Sequence, residues 1–275
     1  MVELGLGITL VAGIVLACVL IPLLDHANPD ALVAAPLQPP SSAHPFGTDT
    51  LGRDVFIRVF TGGRLDLTMA ALGVAPLLAI GTMIGATIGF ARSRLLDSVA
   101  MRLMDGLLAF PFVVLTLVII LIVGADATVW PLPSGAVSVL VAVWIVNWVV
   151  YARLARAQIL VLREEDFISA ARMLGFSRAR IIVRHLLPSV WPVTLTYAAT
   201  DAVLFISVMA GLPFLGAGIQ PPTPDWGGML YEGRGVLGQA PWITLAPAAL
   251  LAGFGLGVML ITDAVVGRHR RVTLP

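Results

Sequence analysis

The chain has 275 residues and a mean hydropathy of +0.95, with 58% hydrophobic and 12% charged residues. Soluble domains carry about twice that share of charge, so the composition excludes a soluble globular protein, a disordered or collagen-like chain and a secreted disulfide scaffold. The formal net charge is only +1, but every basic residue is Arg, and the absence of Lys excludes a Walker A phosphate loop and a lysine Schiff base. Cys18 is the single Cys, so no internal disulfide forms, and His26, His44, His185 and His269 lack metal-ligand spacing.

In chain order, six apolar stretches reach the roughly 20 residues that a bilayer crossing needs. Leu4–Leu24 is uncharged, and with Glu3 but no basic residue ahead of it the stretch reads as an uncleaved anchor rather than a signal peptide. Within the loop that follows, the apolar-rich run from Asp54 to Phe60 is expected at the membrane interface. The second stretch is Leu67–Ala91. Its Gly81, Gly85 and Gly89 recur at four-residue spacing, which lets another helix approach closely, either within the chain or across a seam with a partner. The third is Gly106–Ala125, where Asp105 is expected to pair locally with Arg102. The fourth is Ser134–Ala152, the fifth Ser189–Gly211 and the sixth Trp242–Thr262. Each must be helical, because lipid offers backbone groups no hydrogen-bond partner. The expected fold is therefore all-α: a polytopic membrane protein of about six transmembrane helices. Residues 1–63 form an anchor helix and outer loop, 64–266 a core and 267–275 a tail.

Loop charge orients the spans. With both termini cytoplasmic, the inner segments hold Arg92, Arg94, Arg102, then Arg153, Arg156, Arg163, Arg172, Arg178, Arg180 and Arg184, then Arg268, Arg270 and Arg271. The outer loops hold only Arg53, Arg58, Arg64 and Arg234, three of them in the first loop.

The inner segment at 163–188 carries the densest pattern. Glu164, Glu165 and Asp166 open it, where a helix N-terminus favours negative charge. Phe167, Ala170, Ala171 and Leu174 follow at i, i+3, i+4 and i+7, one face of a short helix. Gly175 suits its stop, Ser177 caps a second short helix from about Arg178 to Leu186, and Pro188 opens the fifth span. A small, smooth apolar face of this kind fits a groove in another protein, or equally a bed on its own spans. Ionisable and polar groups inside spans are candidates for a transport pathway. Asp201 and Asn147 are the clearest, while Thr200 and Ser207 are weaker because hydroxyls back-bond to their own helix. A buried bond to a neighbouring helix is the competing reading for Asp201. The loop from Gln220 to Gly228 is stiff and polar, with Trp226 read either as part of a docking surface or as an interfacial Trp.

The run Ser169-Ala170-Ala171, three residues, Gly175, nine residues, His185, one residue, Leu187-Pro188 resembles the EAA loop of ABC importer permeases. Ser169 stands where that family has Glu, and His185 where it has Ile. Arg184-His185-Leu186-Leu187-Pro188, His44-Pro45-Phe46-Gly47-Thr48-Asp49 and Phe214-Leu215-Gly216-Ala217-Gly218 narrow the resemblance to C-type subunits of the dipeptide/oligopeptide permease family. With Ala240-Pro241-Trp242, it covers about residues 44–266.

The resemblance implies a non-catalytic subunit in a bacterial inner membrane. Its partners would be a homologous second permease, two ATPase subunits that hold ATP and Mg, and an external binding protein. Cargo would be di- or oligopeptides, although relatives also carry nickel chelates and other small solutes. No cofactor, metal or nucleic acid is expected in this chain. The EAA helix would couple to an ATPase cleft through Glu164, Glu165, Phe167, Ser169, Ala170, Ala171, Leu174 and Gly175, with Glu164 and Glu165 supplying the charge that Ser169 lacks. The alternatives are a stand-alone secondary transporter, for which no inverted repeat is visible, and an intramembrane enzyme, for which no nucleophile–base set is visible.

Overall fold

Uninterrupted apolar runs without turn residues grow into long helices. The computed structural model, which describes residues 2–91, 93–124 and 126–272, has ten α-helices and no β-strand among those residues. They are α1 (Val2–Leu24), α2 (Val55–Phe90), α3 (Arg94–Leu108), α4 (Phe112–Val123), α5 (Ala136–Leu162), α6 (Asp166–Met173), α7 (Arg178–Ile181), α8 (Leu187–Gly211), α9 (Trp226–Gly233) and α10 (Trp242–Val272). Among the described residues five helical stretches are long and apolar enough to cross a bilayer, and six if a pair bent by 86° is counted as one span. The chain is therefore a polytopic helical membrane protein. Arg92 and Ala125, and the side chains of Arg268, Arg270 and Arg271, lie outside the described residues.

Two compact units emerge from the contacts. One comprises Met1–Ala71, Val123–Val139 and Ala199–Pro275, the other Leu72–Ile122 and Leu140–Ala198. In the first, α1 lies along α10. Small residues set that approach: a Cβ on Gly7 would stand 2.8 Å from the Gly257 carbonyl oxygen, and one on Gly257 would stand 2.6 Å from Val11 Cγ2.

The same unit corrects two expectations. The Asp54–Phe60 run is not interfacial: α2 begins at Val55, and Val55, Ile57, Val59 and Phe60 are buried. The helix runs on through Gly62 and Gly63, where a Cβ would meet the Asp225 backbone or the Trp226 ring. Trp226 is not at a membrane surface either. It is fully buried, its indole donating to the Val59 carbonyl at 2.9 Å and its backbone N–H to Asp66 at 2.9 Å. Arg53 and Arg58 of the same unit are both buried and paired. Arg53 bonds Asp49 at 2.5 Å and Glu232 at 2.9 Å, while Arg58 bonds Asp30 at 2.9 Å and lies 3.5 Å from Asp49.

At the same site burial pushes the Asp225 carboxyl up to about 6. The Gly228 and Gly227 N–H groups pull it down, the Glu232 charge adds to the rise and Arg58 opposes it.

In the second unit the glycine strip of α2 packs against α5. A Cβ on Gly81 would stand 2.6 Å from Tyr151 Cβ, one on Gly85 2.8 Å from Ala152 Cα, and one on Gly89 3.0 Å from Ile159 Cβ. The strip is thus a contact within the chain. The expected third span is broken: α3 and α4 are bent by 86° about Ala109–Pro111. Pro111 disfavours helical angles at Phe110, which is why the helix stops there. The 12 residues of α4 rise about 18 Å, short of the roughly 30 Å apolar core. Asp105 pairs with Arg153 of α5, not with Arg102.

Candidate functional site

The 163–188 hairpin is built from local signals. Glu165 is the N-cap of α6, in extended geometry, without a side-chain cap bond. At the other end Gly175 sits at φ +76°, the Gly175 N–H donates to the Arg172 carbonyl and the Phe176 N–H to the Ala171 carbonyl. That bond pair is a Schellman stop, and glycine fills its left-handed position at no steric cost. Ser177 then caps α7 through the Arg180 N–H. The second helix, expected as one α-helix to Leu186, changes to a π-helix over Ile182–Leu186 before α8.

The predicted apolar face divides in two. Ala171, 5% exposed, turns inward beside a fully buried Ile168, onto Phe90, Ile159, Ile181 and Leu186. Burying Ile168 alone contributes about 1.5–3 kcal/mol to seating the hairpin. Outward remain Phe167 at 45%, Leu174 at 73% and the exposed Ala170. Met173, at 90%, joins them. Met173 and Ile168 were missed because α6 carries apolar residues on two faces, and spacing alone does not say which face its own chain takes.

Charge surrounds the strip. Glu164 is exposed and bonds the adjacent Arg163 at 2.9 Å, Glu165 is exposed and Ser169 half-buried. Arg163 also donates to the Gly89 carbonyl at 3.0 Å, tying the base of the hairpin to the end of α2. Arg172 stacks over Phe90 at 5.0 Å, Arg180 over Phe176 at 5.2 Å, and His185 lies parallel to Phe176 at 6.0 Å. Beside the strip an open cleft of about 240 Å³ is lined by Phe90, Arg172, Phe176, Arg178 and Ile181. Two ion pairs link α5, from which the hairpin departs, to α3: Arg156 holds Asp97 through contacts of 2.6 and 2.7 Å, and Arg153 holds Asp105.

The pathway candidates are not presented to solvent as the hairpin is. Asp201 on α8 is 4% exposed and Asn147 on α5 is half-buried, and each has an interaction partner within the chain. Ser207 back-bonds to the Val203 carbonyl at 2.8 Å, as expected of a helix hydroxyl. No cluster of metal-ligating side chains occurs among the described residues.

Comparison with known proteins adds a family. A family described as "binding-protein-dependent transport system inner membrane component" matches residues 81–271. A dipeptide transport system permease protein, DppC, of Alkalihalophilus pseudofirmus is 34% identical over 94% of this chain and 82% of its own length. A putative peptide transport system permease protein of Brucella suis is 39% identical over 94% of this chain and 84% of its own. A second Brucella suis protein, a putative peptide permease, is 36% identical over 94% and 83%.

Proposed function

Since the chain belongs to the family of inner membrane components of binding-protein-dependent transport systems, and is thus the membrane-spanning permease subunit of an ATP-driven ABC importer, we propose that its cargo is di- or oligopeptides and that the 163–188 hairpin is where ATP hydrolysis is felt. The names of its relatives support the cargo. A second permease completes the pore, an external binding protein delivers the peptide, and two ATPase subunits hold ATP and Mg. This chain performs no catalysis and carries no cofactor. Both termini face the cytoplasm, with the hairpin on that side.

The observation that carries the coupling assignment is the divided helix α6. Ile168 and Ala171 fasten it to its own chain, while Phe167, Ala170, Met173 and Leu174 leave an apolar strip uncovered. A helix gripped from outside must do both: offer a face to the ATPase and pass the push to α2 and α5. Gly175 permits the sharp exit, and Glu164 and Glu165 supply acid at the rim where Ser169 supplies none. On the spans, Asn147 and Asp201 are the polar groups we assign to the passage. Asp201, buried in this conformation, reaches cargo only when access switches.

The test is uptake of labelled dipeptides and longer peptides by vesicles containing the assembled importer. Uptake that requires ATP and the binding protein is expected. ATP-independent uptake by this chain alone would contradict the reading and favour a secondary transporter.

A further inference from the structure

Helix α3 carries three lengthwise strips, each with a different surrounding. Met101, Met104 and Leu107 turn inward, onto a cluster with Ile88, Val149 and Ala152. Leu95, Val99 and Leu103, at four-residue spacing, form an apolar strip that is 75%, 47% and 66% exposed. Arg94, Ser98 and Arg102, at the same spacing, form an exposed polar strip beside it. The acids of the helix are already engaged, Asp97 by Arg156 and Asp105 by Arg153. Among the described residues no ion pair reaches Arg94 or Arg102, so the outward face of the helix is positive.

The direction of the helix says where this face lies. The wholly uncharged α4 enters the apolar layer, and α3 stands at 86° to it. A helix at a right angle to a segment entering a bilayer runs along the bilayer surface. There one strip meets acyl chains, its neighbour meets headgroups, and the third is left for protein.

We propose that α3 is an interfacial anchor that beds Leu95, Val99 and Leu103 among acyl chains and holds anionic phospholipid phosphates with Arg94 and Arg102. The apolar strip is about 12 Å long. Because Asp97 and Asp105 tie α3 to Arg156 and Arg153, the anchor also steadies α5, from which the 163–188 hairpin departs. Bilayer charge therefore acts on the coupling hairpin through two ion pairs. Under the proposed orientation this is the cytoplasmic leaflet, but the anchoring itself does not depend on that orientation or on the cargo.

The assembled importer in vesicles of phosphatidylethanolamine and phosphatidylglycerol tests this with nitroxides at Ser98→Cys, Val99→Cys and Leu103→Cys. The native Cys18 is fully buried and stays unlabelled. Labels at 99 and 103 should collide with oxygen in preference to a nickel chelate, and the label at 98 should show the reverse. R94Q/R102Q should lower co-purified phosphatidylglycerol by about fivefold per Arg removed. Labels at 99 and 103 shielded from both probes would mean that a protein partner, the second permease included, covers the strip. That result, or unchanged phosphatidylglycerol in R94Q/R102Q, overturns the proposal.

Discussion

Replacing Leu174 by Glu and Ala171 by Glu separates the two faces of α6. Leu174 is 73% exposed, so a carboxylate there costs the isolated fold no more than about 0.5 kcal/mol. In a docked state the same change removes about 1–2 kcal/mol of apolar burial and requires a charge to be desolvated. Together these weaken docking by at least about 3 kcal/mol, more than a hundredfold. Ala171 is 5% exposed and packed within its own chain. A Glu there is a buried, unpaired charge costing about 3–5 kcal/mol of fold stability. Uptake and cargo-stimulated ATP hydrolysis of the assembled importer, read beside the thermal midpoint of each variant, distinguish the outcomes. L174E should melt as the parent does yet lose uptake and stimulation, with L174M restoring both. A171E should melt earlier and lose both. An L174E importer with parental uptake would refute docking through this strip, and an A171E chain of unchanged midpoint would refute the packing.

G85A should lower the thermal midpoint, since its Cβ would stand 2.8 Å from Ala152 Cα and overpacking costs about 1–3 kcal/mol. G106A, with nothing within 4 Å of the new Cβ, should gain up to about 1 kcal/mol of helix propensity, so equal effects would contradict the α2–α5 contact. For Asp225 the folded chain holds its proton up to about 6 against an ordinary value of 3.8. The folded state therefore binds more protons in that window, and stability falls as pH rises through it, then levels. D225N keeps a good N-cap and should show a smaller fall of thermal midpoint across that window, with midpoints above the parent's beyond about 6. A parental midpoint that rises through the window would contradict the sign.

What was legible in the sequence was local. Gly175 and Ser177 announced the ends of α6 and α7 because a left-handed stop and an N-cap are set by one residue each. Gly81, Gly85 and Gly89 announced a close helix approach because their spacing alone keeps them on one side. What escaped depended on distant partners. The Asp54–Phe60 run read as interfacial because its burial, and the pairing of Arg53 and Arg58 with Asp30, Asp49 and Glu232, come only with folding. Trp226 read as part of a docking surface or as interfacial because its indole partner, the Val59 carbonyl, is a backbone group with no sequence signature. The break between α3 and α4 was available in Pro111, but the apolar run around it suggested one span. On α6 the spacing marked one apolar face, and only packing shows that Ala171 turns inward with Ile168 while Phe167 and Leu174 stay outward.

The hairpin's contact with an ATPase is tested most directly by cross-linking. A photoreactive group placed through Leu174→Cys in the assembled importer should join this chain to an ATPase subunit, with a yield that changes when ATP is added. Cross-links only to its own spans or to lipid, in a complex that still transports peptide, would contradict the account.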